Sequence, residues 1–441
     1  MTGTLTQSAK RPEGVIHELH RKFLSEARPP EAFRPVNSAG ISRFETLGFP
    51  HRKHEMYTFV NTQPLVNTGF ALQKPGKIAS DAVRPYLYPG CETSHLVLVD
   101  GTFRPDLSDT SALGDGVRAV GLEQSAGEEP LRHYLLETIE AEDDVFAAIN
   151  AAFLSGGLHL EVMPRFTASA PLQILVLSSG SVSGSVVTCP RLFVQVGELA
   201  EIGLIVRFAG TGGNYFVNTV IDVRVSEGAG VRYSQIQQDN ETCWHFSKTR
   251  VRLARNGRFL STHASSGCRL ARHHYEVDLD DVGGELRLNG LSVISREEQV
   301  HNYVRIHHRA PNCTSHQFFR NIISHRARSS VDGTVIVDPG AQQTQSDQLI
   351  NNLMLTDEGH ADNKPNLMIF ADDVKCTHGA TVGQIDENQI FYLKTRGLTE
   401  AAAKSLLTRS FAESVLESID FPAVREDLEN TLLKKLEASH G

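Results

Sequence analysis

Cys376 and His378 stand two residues apart in the stretch ADDVKCTHGATVGQIDENQIFYLKTRGL, residues 371–398. On a strand, alternate residues share a face, so Val374, Cys376 and His378 lie on one side and Lys375 and Thr377 on the other. The thiol and the imidazole are then about 6.6–7 Å apart along the chain. At that reach both can approach a metal or a small cluster, whose sulfur and nitrogen ligands sit roughly 2.0–2.3 Å from the metal. Two ligands alone leave such a site incomplete. The shared parity with Val374 equally suits a core thiol and a buried, hydrogen-bonded imidazole. A nucleophile with its base fits less well, because no orienting third group is identifiable. Asp372 and Asp373 fall on opposite faces, which suits a strand-edge turn better than a paired acid and base.

Elsewhere the chemistry-bearing residue types are dispersed. His273 and His274 in RHHYE, and His307 and His308 in VRIHHRAPNC, point to opposite faces of any strand they occupy. Neither pair makes one chelating face, and both are expected at the surface or in turns. His17 and His20 in HELHR, and His51 and His54 in HRKHE, miss the spacings of zinc proteases and are also expected at the surface. Six cysteines, at 91, 189, 243, 268, 313 and 376, include no C-x-x-C pair, which argues against a disulfide framework or a local zinc knuckle. Apart from Cys376 they read as small buried hydrophobes. The chain contains no G-x-x-x-x-G-K-[ST], no G-x-G-x-x-G opening a helix and no G-x-S-x-G; GSVSG at 180–184 has Val182 where the last motif needs serine.

A chain of 441 residues is too long for one compact core, so two or three domains are expected. Its net charge of -9, from 52 acidic against 43 basic residues with no basic run, argues against a nucleic-acid partner. The opening MTGTLTQSAKRPEG lacks the apolar core of a signal peptide, and no stretch approaches the ~20 apolar residues of a membrane span. On this reading the protein is cytoplasmic, with no membrane partner.

Residues 1–157 read as a mixed N-terminal region. PEGVIHELHRKFLSEA has a proline near its start and helical spacing of Ile16, Leu19 and Phe23. HLVLVDGTF reads as a strand running into an Asp-Gly turn, and LRHYLLETIEAEDDVFAAINAAFLSGG as helix closed by a glycine pair. From 158 to 388 many short apolar runs alternate with Gly, Asn, Asp and Ser, with hardly a helix-period segment among them. Ile221, Val223 and Val225 alternate with Asp222 and Arg224, giving one buried and one wet face. Without crossover helices this excludes a doubly wound sheet or a (β/α) barrel and leaves a sandwich, a propeller or a solenoid. Residues 389–441 return to helix. Thr399 is the expected N-cap, and Ala403, Leu407, Phe411 and Val415 form a stripe. After Pro422, Val424, Leu428, Leu432 and Leu436 form a second. Two such helices bury little between themselves, so they dock on the β body or on a partner.

The wording NNLMLTDEGHADNKPNLMIFADDVKCTHGATVGQIDENQIFYLKTRGL resembles the C-terminal signature of SufD chains, one branch of the SufB/SufD family of the SUF iron–sulfur cluster assembly scaffold. FAAINAAFLSGG and HLVLVDGTF are similar to segments of the same family. Two departures stand out: Met368 replaces a common glutamate, and Met56-Tyr57-Thr58-Phe59 stands where a W-K-Y-T box is frequent. The resemblance implies a mainly β fold, a right-handed parallel β-helix flanked by N-terminal and C-terminal helical domains. It implies a non-catalytic scaffold subunit, pairing with a SufB-like paralogue and docking a SufC-like ABC-type ATPase through Ala403, Leu407, Phe411, Val415, Val424, Leu428 and Leu432. His378, with Cys376 beside it, would then contribute to a transient iron–sulfur cluster shared with the SufB-like chain. Self-association into a homodimer is expected when that partner is absent. The rival from another class, a β-helix carbohydrate lyase or hydrolase, needs carboxylates converging on one face, and Asp372 and Asp373 diverge.

Overall fold

A computed structural model describes residues 12–439, apart from 52, 74, 75, 77, 182 and 183. The opening segment and the centre of GSVSG, Val182, therefore lie outside the described residues.

From Arg191 onward successive strands fall alternately into two sheets, and within each sheet every strand pairs in parallel with the strand one coil later. This is a parallel β-solenoid of about seven turns. Register partners are separated by 27 residues at Arg258↔Glu285 and by 32 at Arg328↔His360, so each coil uses about the same length of chain. One corner shows why no tight consensus is needed. Gly228, Asn256, Gly283, Asn312 and Gln343 all carry a left-handed backbone, with φ of 65°, 52°, 78°, 59° and 59°. Glycine and asparagine enter that region at least cost, and each such residue turns the chain from one sheet to the other. The N–H of Asn312 then bonds the Gln342 carbonyl at 3.0 Å, one coil on.

Alternation decides what each face meets. The inward set includes Val251, Tyr275, Val304, Phe259, Leu288, Phe319 and Ile350, all sealed in one continuous core. The outward face of one sheet is covered by the N-terminal region, where Phe146, Phe49, Met56 and Tyr57 pack on Phe216, Trp244, Phe246 and Leu270. The outward face of the other is covered by the C-terminal helices Glu400–Leu416 and Pro422–Ser439. There Val415, Leu416, Val424, Leu428 and Leu432 pack on Ile236, Ala264, Leu291 and Ile322. Full burial of each such side chain is worth roughly 1.5–3 kcal/mol.

Local signals are met where the chain closes on itself. Asp100 and Gly101 have φ of 49° and 86°, the double left-handed turn that joins His95–Val99 to Thr102–Phe103. Thr399 Oγ accepts the Ala402 N–H at 3.2 Å, capping Glu400–Leu416. The strand His95–Val99 pairs with Leu172–Ser178, so chain ahead of residue 157 enters the sheet.

The histidine pairs depart from their surface expectation. His273, His274 and His308 are fully buried and His307 partly so. Adjacent strand residues do point opposite ways, but both faces of these strands are covered, one by the lumen and one by the N-terminal region. His20 is buried too, edge-on to Phe153 with ring centroids 5.5 Å apart. Of the cysteines, 91, 243, 268 and 313 are buried and 189 is half-buried.

Candidate site at the open end of the solenoid

The last coil consists of the strands His360–Ile369 and Lys375–Gly383. Each ends its sheet, and among the described residues no strand pairs beyond them. The preceding coils are largely buried, whereas these two strands are half-buried or exposed along their length. Met368, Phe370 and Val382 are 47%, 58% and 55% exposed. Strand edges of this kind present unpaired backbone N–H and C=O groups ready to accept another strand.

Asp372 and Asp373 form the exposed turn that leads into the last strand. Asp373 N–H donates to Gln342 Oε1 at 2.9 Å, and its carbonyl accepts from Gln343 N–H at 2.6 Å. Cys376 and His378 then follow on one face, and the register identifies it. Cys376 pairs with Ser346, which pairs with Ser315; His378 pairs with Gln348, which pairs with Gln317. Ser315, Ser346, Gln317 and Gln348 are all buried inside the solenoid. Cys376 and His378 therefore occupy inward positions, and His378 is exposed because the coil above it is missing. Cys376 is half-buried against the core, and desolvation pushes its thiol pKa up.

Beneath the pair runs a polar column within the lumen. Ser315 and Ser346 hydroxyls lie 2.9 Å apart, and His308 Nε2 lies 2.8 Å from Ser315 Oγ. Gln348 Nε2 donates to Gln317 Oε1 at 3.3 Å. Farther along the same strands, Asn321 Nδ2 donates to Asn352 Oδ1 at 2.9 Å, and Asn352 Nδ2 to Asn363 Oδ1 at 3.1 Å. Apart from His308, sequence reading did not single out these side chains. Their signal was the recurrence of Gln at one coil length, 317 and 348, in SHQFFRN and SDQLINN.

Burial disfavours the charged form of His308 and His263 in this lumen. Desolvation lowers His308 to about 4 and His263 to about 3, with a neighbouring histidine adding to the shift in each. Among the described residues no three His, Cys, Asp or Glu side chains are set to hold a metal ion. Cys376 and His378 thus stand as a thiol and an imidazole on one face at the rim of the molecule.

The apolar stripe expected to hold the ATPase is placed otherwise. Ala403, Val415, Val424, Leu428 and Leu432 are buried, and Leu407 and Phe411 partly so. The stripe is the face that packs on the chain's own β body and neighbouring helix, because that apolar sheet face needed cover. The stripe expected to hold a partner is thus packed within this chain. What the helices Glu387–Thr395 and Glu400–Leu416 leave exposed is Phe391, Tyr392 and Leu406, at 69%, 56% and 47%.

The two expected departures also find places. Met368 stands exposed on the open end, while Met56 and Tyr57 are buried under the N-terminal region. Tyr57 OH donates to Asp144 Oδ1 at 2.7 Å, and the guanidinium of Arg272 lies 4.4 Å from the Tyr57 ring centroid. No helix among the described residues is long and apolar enough to cross a membrane.

Comparison with known proteins agrees with this geometry. Residues 178–411 match the family described as SUF system FeS cluster assembly, SufBD core domain, and residues 16–174 match the SufBD protein N-terminal region. The chain is 29% identical over 409 residues to the iron–sulfur cluster assembly protein SufD of Escherichia coli, covering 92% of this chain and 93% of that protein. It is 26% identical over 395 residues to an iron–sulfur cluster assembly SufBD family protein of Synechocystis, covering 86% of each. It is 33% identical over 249 residues to the chloroplastic protein ABCI7 of Arabidopsis thaliana, covering 55% of this chain and 52% of that one. With a parallel solenoid ending in a Cys/His rim and both family regions spanning nearly its whole length, the chain belongs to the SufBD family of iron–sulfur cluster assembly proteins, among the homologues of SufD.

Proposed function

We propose that this chain is a non-catalytic scaffold subunit that pairs its open end with a SufB-like solenoid and supports a nascent iron–sulfur cluster there. The observation that carries this reading is the placement of two inward-facing ligand types, half-buried Cys376 and exposed His378, on a coil whose strands end unpaired. A thiolate and an imidazole are suited to iron and zinc, and two donors from one chain complete a site only when another chain brings the rest. The cluster is cargo in this scheme, built at the junction and passed on. The chain has no Walker motif, in keeping with a partner that supplies the ATPase activity. A SufC-like ATPase docks, on this reading, on the side of the C-terminal helices that carries Phe391, Tyr392 and Leu406, and the complex works in the cytoplasm. When the SufB-like partner is missing, the same open edge serves a second copy of this chain.

The test is His378→Ala in the complex isolated through a tag on this chain. Cluster formation, read by absorbance and iron content after supply of iron and sulfide, should fall severalfold while the recovered subunits stay the same. Unchanged cluster yield would overturn the ligand role of His378.

A further inference from the structure

The polar column under the rim contains an atom that the cluster reading does not use. Gln348 is 2% exposed, and its Oε1 has no hydrogen-bond partner. Its amide nitrogen is committed inward, to Gln317 Oε1 at 3.3 Å. A buried amide carbonyl left unpartnered forfeits its hydrogen bond to water without a replacement, so such a group in a folded core asks for a donor. The next residue outward in this column is His378, its register partner on the same inward face.

Space for the amide is built into the opposite sheet. A Cβ at Gly333 would lie 1.8 Å from Gln348 Nε2 and 3.0 Å from its Cδ, so the Gln348 side chain fits only because residue 333 is glycine. The neighbouring inward residues of that sheet, Val331 and Val335, carry the branched side chains usual in such cores. The column is thus narrowed to one glutamine at each of two coils, topped by a histidine.

We propose that Gln348 is the positioning residue for His378. The inference rests on the reading that His378 faces the cluster. A turn of the exposed His378 side chain about its own bonds brings a ring N–H to Gln348 Oε1, which accepts it; that bond fixes the tautomer and leaves the lone pair of the other nitrogen directed out of the open end. Imidazoles that ligate metals commonly hold their second nitrogen against a carbonyl or carboxylate in this way, and loss of that partner costs ~10–100-fold in metal affinity. A ring free to exchange tautomers offers the right nitrogen only part of the time.

The test is ring nitrogen NMR of the full chain labelled at histidine, with the His378 signals assigned by their loss in His378→Ala. Native protein should show one dominant tautomer at His378. Gln348→Leu should convert it to the mixture of a solvent-exposed histidine and lower cluster yield in the isolated complex about tenfold. Gln348→Glu, which keeps an acceptor and the shape, should retain both the single tautomer and most of the yield. The proposal is overturned if native His378 already shows the solvent-like mixture, or if Gln348→Leu leaves its tautomer unchanged. Failure of the cluster reading is separate: His378→Ala would then leave yield intact, while the ring signals still decide whether Gln348 orients His378.

Discussion

Asp144 and Arg272 meet at 2.7 Å with both side chains sealed from water, and this pair joins the N-terminal region to the outer face of the solenoid. The same carboxylate lies 2.7 Å from His274 Nδ1, accepts from Tyr57 OH at 2.7 Å and accepts the Phe146 N–H at 2.9 Å as cap of the helix Val145–Ala152. Burial alone would raise its pKa, but Arg272 first, then His274 and Lys248, hold it well below the usual carboxylate range.

Asp144→Ala should therefore cost more than a lost cap. It leaves Arg272 buried without its counter-charge, a change that costs on the order of 3–5 kcal/mol when one partner of a buried pair is removed. Urea denaturation of the full chain measures it. A loss under about 1 kcal/mol, the typical value of a helix cap alone, would show that water or Glu142 relieves Arg272.

Acid should unfold the protein from a mildly acidic pH downward. His263 and His301 are lowered to about 3, and His274 and His308 to about 4, each chiefly by burial. Unfolded, each takes up a proton near pH 6.5. Protons then bind the unfolded chain preferentially, so stability is full above about pH 6.5 and falls by roughly 1.4 kcal/mol per pH unit per histidine down to the folded value. His263→Leu should reduce the stability lost between pH 7 and pH 5 by about 2 kcal/mol, for one histidine's share of that slope. An unaltered slope would mean that His263 is charged in the fold.

The two sides of the C-terminal helices should separate in experiment. Leu428→Ala, in the face packed on the solenoid, should cost about 2–5 kcal/mol of stability. Phe391→Ala with Tyr392→Ala should change stability by less than about 0.5 kcal/mol, as exposed substitutions do. That double variant should instead lose the ATPase from pull-downs of the tagged chain. Retention of the ATPase by this variant would move the docking surface elsewhere.

Much of the architecture was legible because its signals are local. The Asp100-Gly101 turn, the Thr399 cap and the period-two strands need only their own residues to be recognised. The inward parity of Cys376 and His378 was legible for the same reason. What sequence could not supply was which second surface covers a face. His273 and His274 were correctly set on opposite sides of a strand, yet both sides proved covered, and a pattern of alternation is silent on that. The stripe Ala403 to Leu432 was correctly apolar, but an apolar face names no occupant. Gln348 escaped notice because its meaning depends on register across a 30-residue coil, from Gln345↔Lys375 to Gln348↔His378.

The two ends of the solenoid differ in a way that bears on filament growth. The first coil is finished by short antiparallel strands, Thr102–Phe103 on one sheet and Val117–Gly121 on the other. The last coil ends in parallel strands, one of which carries Pro365 and so lacks an N–H at that position. A repeat protein whose head matched its tail could add copies without limit, as cross-β fibres do. Here the antiparallel finish gives the first coil a different hydrogen-bond spacing from the last, so copies do not stack head to tail. On the proposed pairing, joining through the open ends leaves no end of the same kind free for a further copy, so a fold built from a polymer-like repeat would stop at two chains.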